Sequence, residues 1–170
     1  MTEFAHTPTA LQRLYRSIDL APLPQHDVIA QSLDAWRRAR GRHLLPGPLQ
    51  VGKEQCSRVL ENSLVAEQAG PRGEFELRSV GQMLRSQTGF REGSRKLTDM
   101  EDSRVAVRLR ELFHFTLEQG EPVTVSFMDR GRDFEVLAAP LALDNDKAGI
   151  WCTIAATALQ PDLAAAEPAC

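Results

Sequence analysis

Residues 122–156 read PVTVSFMDRGRDFEVLAAPLALDNDKAGIWCTIAA, and this stretch decides the fold class. Apolar side chains alternate with other residues along three segments joined by short turns: 122–129, 132–142 and 149–156. A period of two residues is typical of strands that are buried on one face. Successive strands joined by tight turns predict an antiparallel meander.

The preceding segments supply two more strands and a long helix. Residues 58–67 and 74–80 predict a hairpin around a Gly70-Pro71-Arg72-Gly73 turn, and the glycine-punctuated stretch 81–97 predicts short helices. Thr98 and Glu101 have the spacing of a capping box, which predicts that a helix begins there and runs to Gln119 before Gly120. The chain is therefore expected to form an α+β domain with a five-stranded antiparallel sheet.

The N-terminal third predicts two amphipathic helices. The first covers Thr9 to Leu20 and is stopped by the prolines that follow. The second begins at about Asp27, a candidate N-cap, and ends at Arg40 before Gly41. The domain organisation expected is a helical extension over 1–50, the α+β domain over 51–157, and a disordered tail over 158–170, where alanine, proline and acidic residues dominate.

Composition excludes several classes of function. The 170-residue chain carries a net charge of -3, whereas general nucleic-acid binders carry a strong basic excess. Neither a signal peptide nor an apolar run long enough to span a bilayer is present in the sequence, so we expect a cytoplasmic protein with no membrane partner. Small ligands and other proteins remain as expected partners.

Several local sequences accompany this element order: Leu33-Asp34-Ala35-Trp36, Leu44-Leu45-Pro46, Phe75-Glu76-Leu77-Arg78-Ser79-Val80-Gly81, Thr88-Gly89-Phe90-Arg91-Glu92-Gly93, Glu118-Gln119-Gly120-Glu121-Pro122 and Phe134-Glu135-Val136-Leu137-Ala138-Ala139-Pro140-Leu141. Together they resemble a PAS-like family of short proteins common in alphaproteobacteria. The resemblance implies a five-stranded antiparallel sheet with helices closing one face over a small cavity. It also implies signalling by sensing, dimerisation or docking, without catalysis.

A search for chemistry finds no catalytic motif. Nucleophile elbows, P-loops, dinucleotide glycine fingerprints and calcium loops are absent from the sequence, and we expect no metal and no cofactor. His114 falls on the outer side of the long helix and is expected to be solvated. Cys152 lies in an apolar run, which indicates a buried reduced thiol. The arginines at 37, 38, 40 and 42 suit the end of a helix, and a phosphate there stays an open alternative.

These observations favour a regulatory or interaction protein over an enzyme. The expected ligand-binding residues line the interior between sheet and helices: Phe75, Leu77, Leu84, Leu109, Phe113, Phe127, Val136 and Ile154. A stripe on the first helix is expected to form a homodimer interface: Leu11, Leu14, Tyr15 and Ile18. Expected partners are a second copy, a signalling protein and a small apolar ligand. The alternative is a non-PAS α+β enzyme or small-ligand carrier that uses the apolar cavity.

Overall fold

The structure is a computed structural model that describes residues 19–20, 23–42, 44–70 and 73–158. The predicted interface residues and the predicted tail from residue 159 onward lie outside the described residues. Asp19–Leu20, which the sequence placed at the end of the first helix, instead form a short strand.

The described chain contains a five-stranded antiparallel sheet, as predicted, and β1 lies beside its outer strand. The strands are β1 (Asp19–Leu20), β2 (Ser63–Ala69), β3 (Glu74–Val80), β4 (Val123–Asp129), β5 (Arg132–Ala142) and β6 (Ala148–Ala158). Their spatial order is β1-β4-β5-β6-β2-β3, and every pairing is antiparallel. The last strand therefore lies between the meander and the first hairpin and joins them into one sheet.

Short and long helices connect these strands. The helices are α1 (Asp27–Arg40), α2 (Pro48–Lys53), α3 (Ser57–Glu61), α4 (Gln82–Thr88) and α5 (Ser103–Gln119), with 3-10 turns at Leu97–Asp99 and Asp144–Asp146. The bounds of α1 and the end of α5 agree with the sequence prediction. Residues 58–61, predicted as strand, instead belong to α3, which ends before Asn62. Val59 lies in this helix and Leu64 lies in β2, so the apolar residues of the predicted strand belong to two separate elements.

Two predicted helix caps were wrong. The N-cap of α1 is His26, whose ring nitrogen accepts a hydrogen bond from the amide of Val28 at 3.3 Å, rather than Asp27. The N-cap of α5 is Asp102, and its carboxylate accepts from the amides of Arg104 and Val105. Aspartate is a strong N-cap because it satisfies amides that have no partner within the helix. The capping box at Thr98 therefore does not begin the helix.

One face of the sheet packs against α4 and α5 to form the larger core. Val125, Val136 and Ile154 point from three neighbouring strands into this core and are fully buried. Leu109 and Phe113 of α5 meet them from the helix side. The ring of Phe113 contacts that of Phe75 edge to face at 5.1 Å, which is a favourable aromatic arrangement.

The opposite face of the sheet is covered by α1. Ile29 and Leu33 pack on Leu137 and Ala155, while Trp36 belongs to an adjoining cluster on the same face. The Nε1 of Trp36 donates to the carbonyl oxygen of Pro140 at 3.0 Å. The sequence predicted helices on one face of the sheet and treated the N-terminal helices as an extension before it. That prediction was incomplete, since the sheet lies between two helical layers.

Four hydroxyl and indole groups join α1 to β2 and β6 in a buried hydrogen-bond network. Thr153 Oγ1 lies 2.6 Å from Ser32 Oγ and 2.7 Å from Ser63 Oγ. The Nε1 of Trp151 donates to Ser32 Oγ at 3.2 Å and to Thr153 Oγ1 at 3.1 Å. Buried polar groups are costly unless they are paired, so this network fixes where α1 lies on the sheet.

Candidate functional site

The structure brings the eight predicted ligand-binding residues together in the larger core. Seven of them are buried, and Leu77 is partly buried and packed against the same cluster. Phe127 and Phe134 stack at 5.2 Å, and Leu84 and Leu109 have no exposed surface. These side chains contact one another closely. Phe75 also borders a cavity of about 170 Å³ beside α5.

A larger cavity lies at one end of this core, next to the turn between β4 and β5. We call it the hairpin cavity, and its volume is about 260 Å³. Three segments line it: the end of α4, the start of α5 with the residues before it, and the β4–β5 turn. Its lining residues are Ser86, Gln87, Thr88, Gly89, Met100, Glu101, Asp102, Val105, Asp129, Arg130, Arg132 and Phe134.

A pair of carboxyl groups forms one wall of the hairpin cavity. Burial raises the pKa of Asp129, and its hydrogen bond to Asp102 together with the negative charge of Asp102 raises it further, against the opposing effect of Arg108. Burial would also raise the pKa of Asp102, but the hydrogen bond from Asp129 and those from the amides of Arg104 and Val105 hold it below its ordinary value. Two adjacent carboxyls cannot both ionise easily, so when the pair holds a proton, Asp129 is favoured over Asp102 as its site.

Two arginines contact the carboxyl pair, and a third lines the same cavity. Arg108 Nη1 lies 3.3 Å from Asp129 Oδ1, and Arg130 Nε lies 3.9 Å from Asp102 Oδ2. Arg132 is arranged differently: its Nη1 donates to the carbonyl oxygen of Gln87 at 3.0 Å, and its guanidinium carbon lies 5.2 Å from the ring centre of Phe134. The cavity therefore combines a carboxyl pair, cationic groups and an apolar floor.

This arrangement can bind a small polar molecule and can hold or transfer a proton at Asp129. Small-ligand sites combine an apolar lining with a few convergent polar groups, as seen here. A carboxyl group whose pKa is raised can also donate a proton in acid–base chemistry. Among the described residues, groups of three or more histidine, cysteine or acidic side chains that could hold a metal ion are absent.

Two residues singled out from the sequence have contacts that the sequence did not indicate. His114 was expected to be solvated, yet it is half-buried, with Nε2 3.0 Å from the carbonyl oxygen of Gly73 and its ring 5.0 Å from that of Phe75. The prediction for Cys152 is confirmed: it is a free buried thiol, and burial raises its pKa.

Three of the four arginines in the cluster at the end of α1 are paired with carboxylates. Arg38 lies 3.2 Å from Glu54, and Arg40 lies 2.7 Å from Glu121. Arg37 lies 3.8 Å from Asp34, one turn earlier in the same helix. These ion pairs favour the structural interpretation of the cluster over a phosphate site.

Sequence reasoning missed the hairpin cavity. Two of its charged residues, Asp129 and Arg130, are adjacent at the turn between β4 and β5. The acid-and-arginine composition of that turn was the available signal. It could not show that the turn lies against the N-terminus of α5.

Comparisons with known proteins do not assign this chain to a family. In the part of the chain that the structure describes, none of the helices is long and apolar enough to cross a membrane. No protein-family model, curated protein or solved structure matches the chain.

Proposed function

We propose that this chain is a cytoplasmic PAS-like regulatory protein that binds a small molecule and passes the signal on by protein–protein contact. The hairpin cavity is the observation that carries the proposal, because it presents convergent polar groups beside the apolar core. The element order and the antiparallel sheet support the PAS-like part of the proposal. A ligand in this cavity would touch both α4 and α5, so its binding would alter how these helices pack.

Mass spectrometry of protein purified from its own host tests ligand binding. Under native conditions we expect a mass excess that disappears on denaturation and identifies a retained small molecule. Exchange of Asp129 for asparagine changes the cavity wall and should lower the retained fraction, whereas Asp133→Asn, on the exposed part of the same hairpin, should not. Protein without any retained molecule, and without stabilisation by any compound in a metabolite screen, would contradict the sensing function.

Homodimerisation through the first predicted helix is the second part of the proposal. Leu11, Leu14, Tyr15 and Ile18 form its apolar stripe. Leu14→Asp combined with Ile18→Asp should convert a dimer into a monomer by light scattering, while Gln12→Asp should not. Point substitutions are preferable to a deletion of residues 1–24, because that deletion also removes β1 from the edge of β4. An unchanged mass in the double variant would exclude this interface.

A non-PAS enzyme or small-ligand carrier is the second candidate function. The contact between the carboxyls of Asp102 and Asp129, with the pKa of one lowered and of the other raised, favours it, since paired carboxyls are used for general acid–base catalysis. The retained molecule distinguishes the two candidates. Its chemical conversion by the protein, abolished in Asp129→Asn, would favour an enzyme, whereas its recovery unaltered after prolonged incubation would favour the regulatory function.

A further inference from the structure

Arg132 holds a position that is suited to a carboxylate. It is half-buried, its guanidinium lies over Phe134, and one of its nitrogens donates to a backbone carbonyl. Within the described residues no carboxylate lies within ion-pairing distance of it, in contrast with Arg108 and Arg130. A guanidinium has five donors in a planar fork, so most of the hydrogen-bonding capacity of Arg132 is available to a ligand.

Two acceptors on residues that line the cavity have no donor among the described residues. The side-chain Oε1 of Gln87 is buried and has no hydrogen-bond partner within the described chain. Gln87 lines the hairpin cavity and also a neighbouring cavity of about 230 Å³. Glu101 is exposed at the edge of the hairpin cavity and forms no ion pair with a described residue. Its carboxylate lies over Gly89, where an added Cβ would come within 2.8 Å of Oε2. Buried polar atoms are usually hydrogen-bonded, so Gln87 Oε1 can accept a hydrogen bond from a ligand.

The remaining surface of the cavity is apolar and small. Met100, Val105 and Phe134 are buried and form its floor. A volume of about 260 Å³ is below the roughly 300–1,000 Å³ of pockets that hold drug-sized ligands, and it suits a molecule of amino-acid size. Asp102 and Asp129 are already paired within the protein, with Arg130 and Arg108 respectively, so Arg132 is the lining arginine left to pair with a ligand.

We propose that the hairpin cavity binds the zwitterion of an α-amino acid with an apolar side chain. The carboxylate pairs with Arg132, the ammonium group donates to Gln87 Oε1 and faces Glu101, and the side chain contacts the apolar floor. This inference rests on the proposed sensing function and specifies the class of its ligand.

Calorimetric titration of the full chain with three related compounds tests the proposal. L-phenylalanine carries both charged groups, 3-phenylpropanoate lacks the ammonium, and phenethylamine lacks the carboxylate. We expect L-phenylalanine to bind at least about 10-fold more tightly than either analogue, since each analogue leaves one polar group of the cavity unpaired. Equal affinity for all three compounds, or no binding of L-phenylalanine, would overturn the proposal.

Matched variants locate the binding site. Arg132→Gln and Gln87→Leu should each weaken L-phenylalanine at least about 10-fold. Arg42→Gln, which removes an exposed arginine after α1, and Gln82→Leu, at the exposed start of α4, should leave the affinity unchanged. Backbone amide chemical shifts, measured by NMR during the titration, provide a second readout on the unmodified protein. The test therefore does not depend on the folding of a variant. Gly89 and Gly131 should shift on titration, and shifts confined to Asn62 and Ala156, beside a separate cavity, would refute the assignment.

The experiments distinguish failure of the amino-acid proposal from failure of the proposed sensing function. A retained molecule that is not an amino acid, together with no response to L-phenylalanine, would reject the ligand class and keep the sensing function. Absence of any retained or stabilising molecule would reject both.

Discussion

Thr153→Val tests how α1 is held on the sheet. The network has one consistent hydrogen-bond direction, because Ser63 Oγ donates its single proton to the carbonyl oxygen of Val59 at 2.6 Å. Ser63 must therefore accept from Thr153, and Thr153 in turn accepts from Ser32 and Trp151. The threonine hydroxyl uses its one donor and both acceptor positions.

Replacing this hydroxyl by a methyl group keeps the volume but removes all three hydrogen bonds. Thr153 and Ser32 have no exposed surface, so the Ser32 proton loses its partner away from water. A buried donor left unpaired costs about 1–3 kcal/mol. We expect the free energy of unfolding to fall by about 2 kcal/mol, which corresponds to a fall of about 4–8 °C in melting temperature for a chain of this size.

Urea denaturation followed by tryptophan fluorescence measures this loss. Trp36 and Trp151 are both buried on the α1 side of the sheet, so their emission reports on its packing. Thr157→Val, at an exposed position of the same strand, is the matched control and should change stability by less than about 0.5 kcal/mol. A Thr153→Val variant as stable as this control would refute the network.

The double variant Ser32→Ala with Thr153→Val sharpens the test. Removing both hydroxyls leaves no orphaned serine proton, but it also leaves the buried Trp151 Nε1 without either of its acceptors. The loss of stability in the double variant should therefore differ from the sum of the two single variants. We expect a coupling of at least about 0.5 kcal/mol. Strict additivity would mean that the two hydroxyls act independently, contrary to their 2.6 Å separation.

Three further predictions concern other parts of the fold. Because the pKa of folded Asp129 is raised, its stabilising contribution is present below about pH 4 and is lost as the pH rises through the folded pKa. Carboxyls with lowered pKa values, such as Glu67 and Asp99, act in the opposite direction, so chemical denaturation at several pH values should show the native protein losing stability relative to Asp129→Asn; a constant difference would contradict the prediction. Gly81→Ala should lower the melting temperature sharply, because its Cβ would lie 2.3 Å from the carbonyl oxygen of Glu61, whereas Gly52→Ala, with open space around it, should raise stability by about 0.5–1 kcal/mol. Glu135→Ala removes the acceptor for the amides of Gln25 and His26 and should speed hydrogen exchange at the start of α1 by several-fold; unchanged exchange there would contradict this anchoring role.

The secondary structure was largely predictable because it depends on local patterns. The alternation at Val123, Val125 and Phe127 is set by the pleat of a strand, and Gly120 follows α5 in the left-handed conformation expected of a helix-ending glycine. The start of α5 was misplaced because several acidic residues and hydroxyls compete for the cap. Only the three-dimensional path of the chain shows that Asp102 is the one in position.

The second helical layer was encoded in the sequence but was harder to interpret. In β5, Leu137 and Ala139 are apolar as well as Val136 and Ala138, and such continuous apolar runs indicate strands buried on both faces. The sequence prediction used the alternation of Val136 and Ala138 and did not use the apolar character of Leu137 and Ala139. The choice of α1 as the cover depends on contacts between residues more than 100 positions apart, such as Trp36 with Pro140.

The meander of residues 122–156, together with the long helix before it, determined the α+β class by itself, because strand and helix periodicities are properties of neighbouring residues. The hairpin cavity was decided only by the tertiary structure. Its walls come from α4, the start of α5 and the β4–β5 turn, and its chemistry arises where Asp129 meets Asp102. No spacing along the chain specifies that meeting, since the opposite pKa shifts of the two carboxyls depend on burial and on the contact between side chains from different elements.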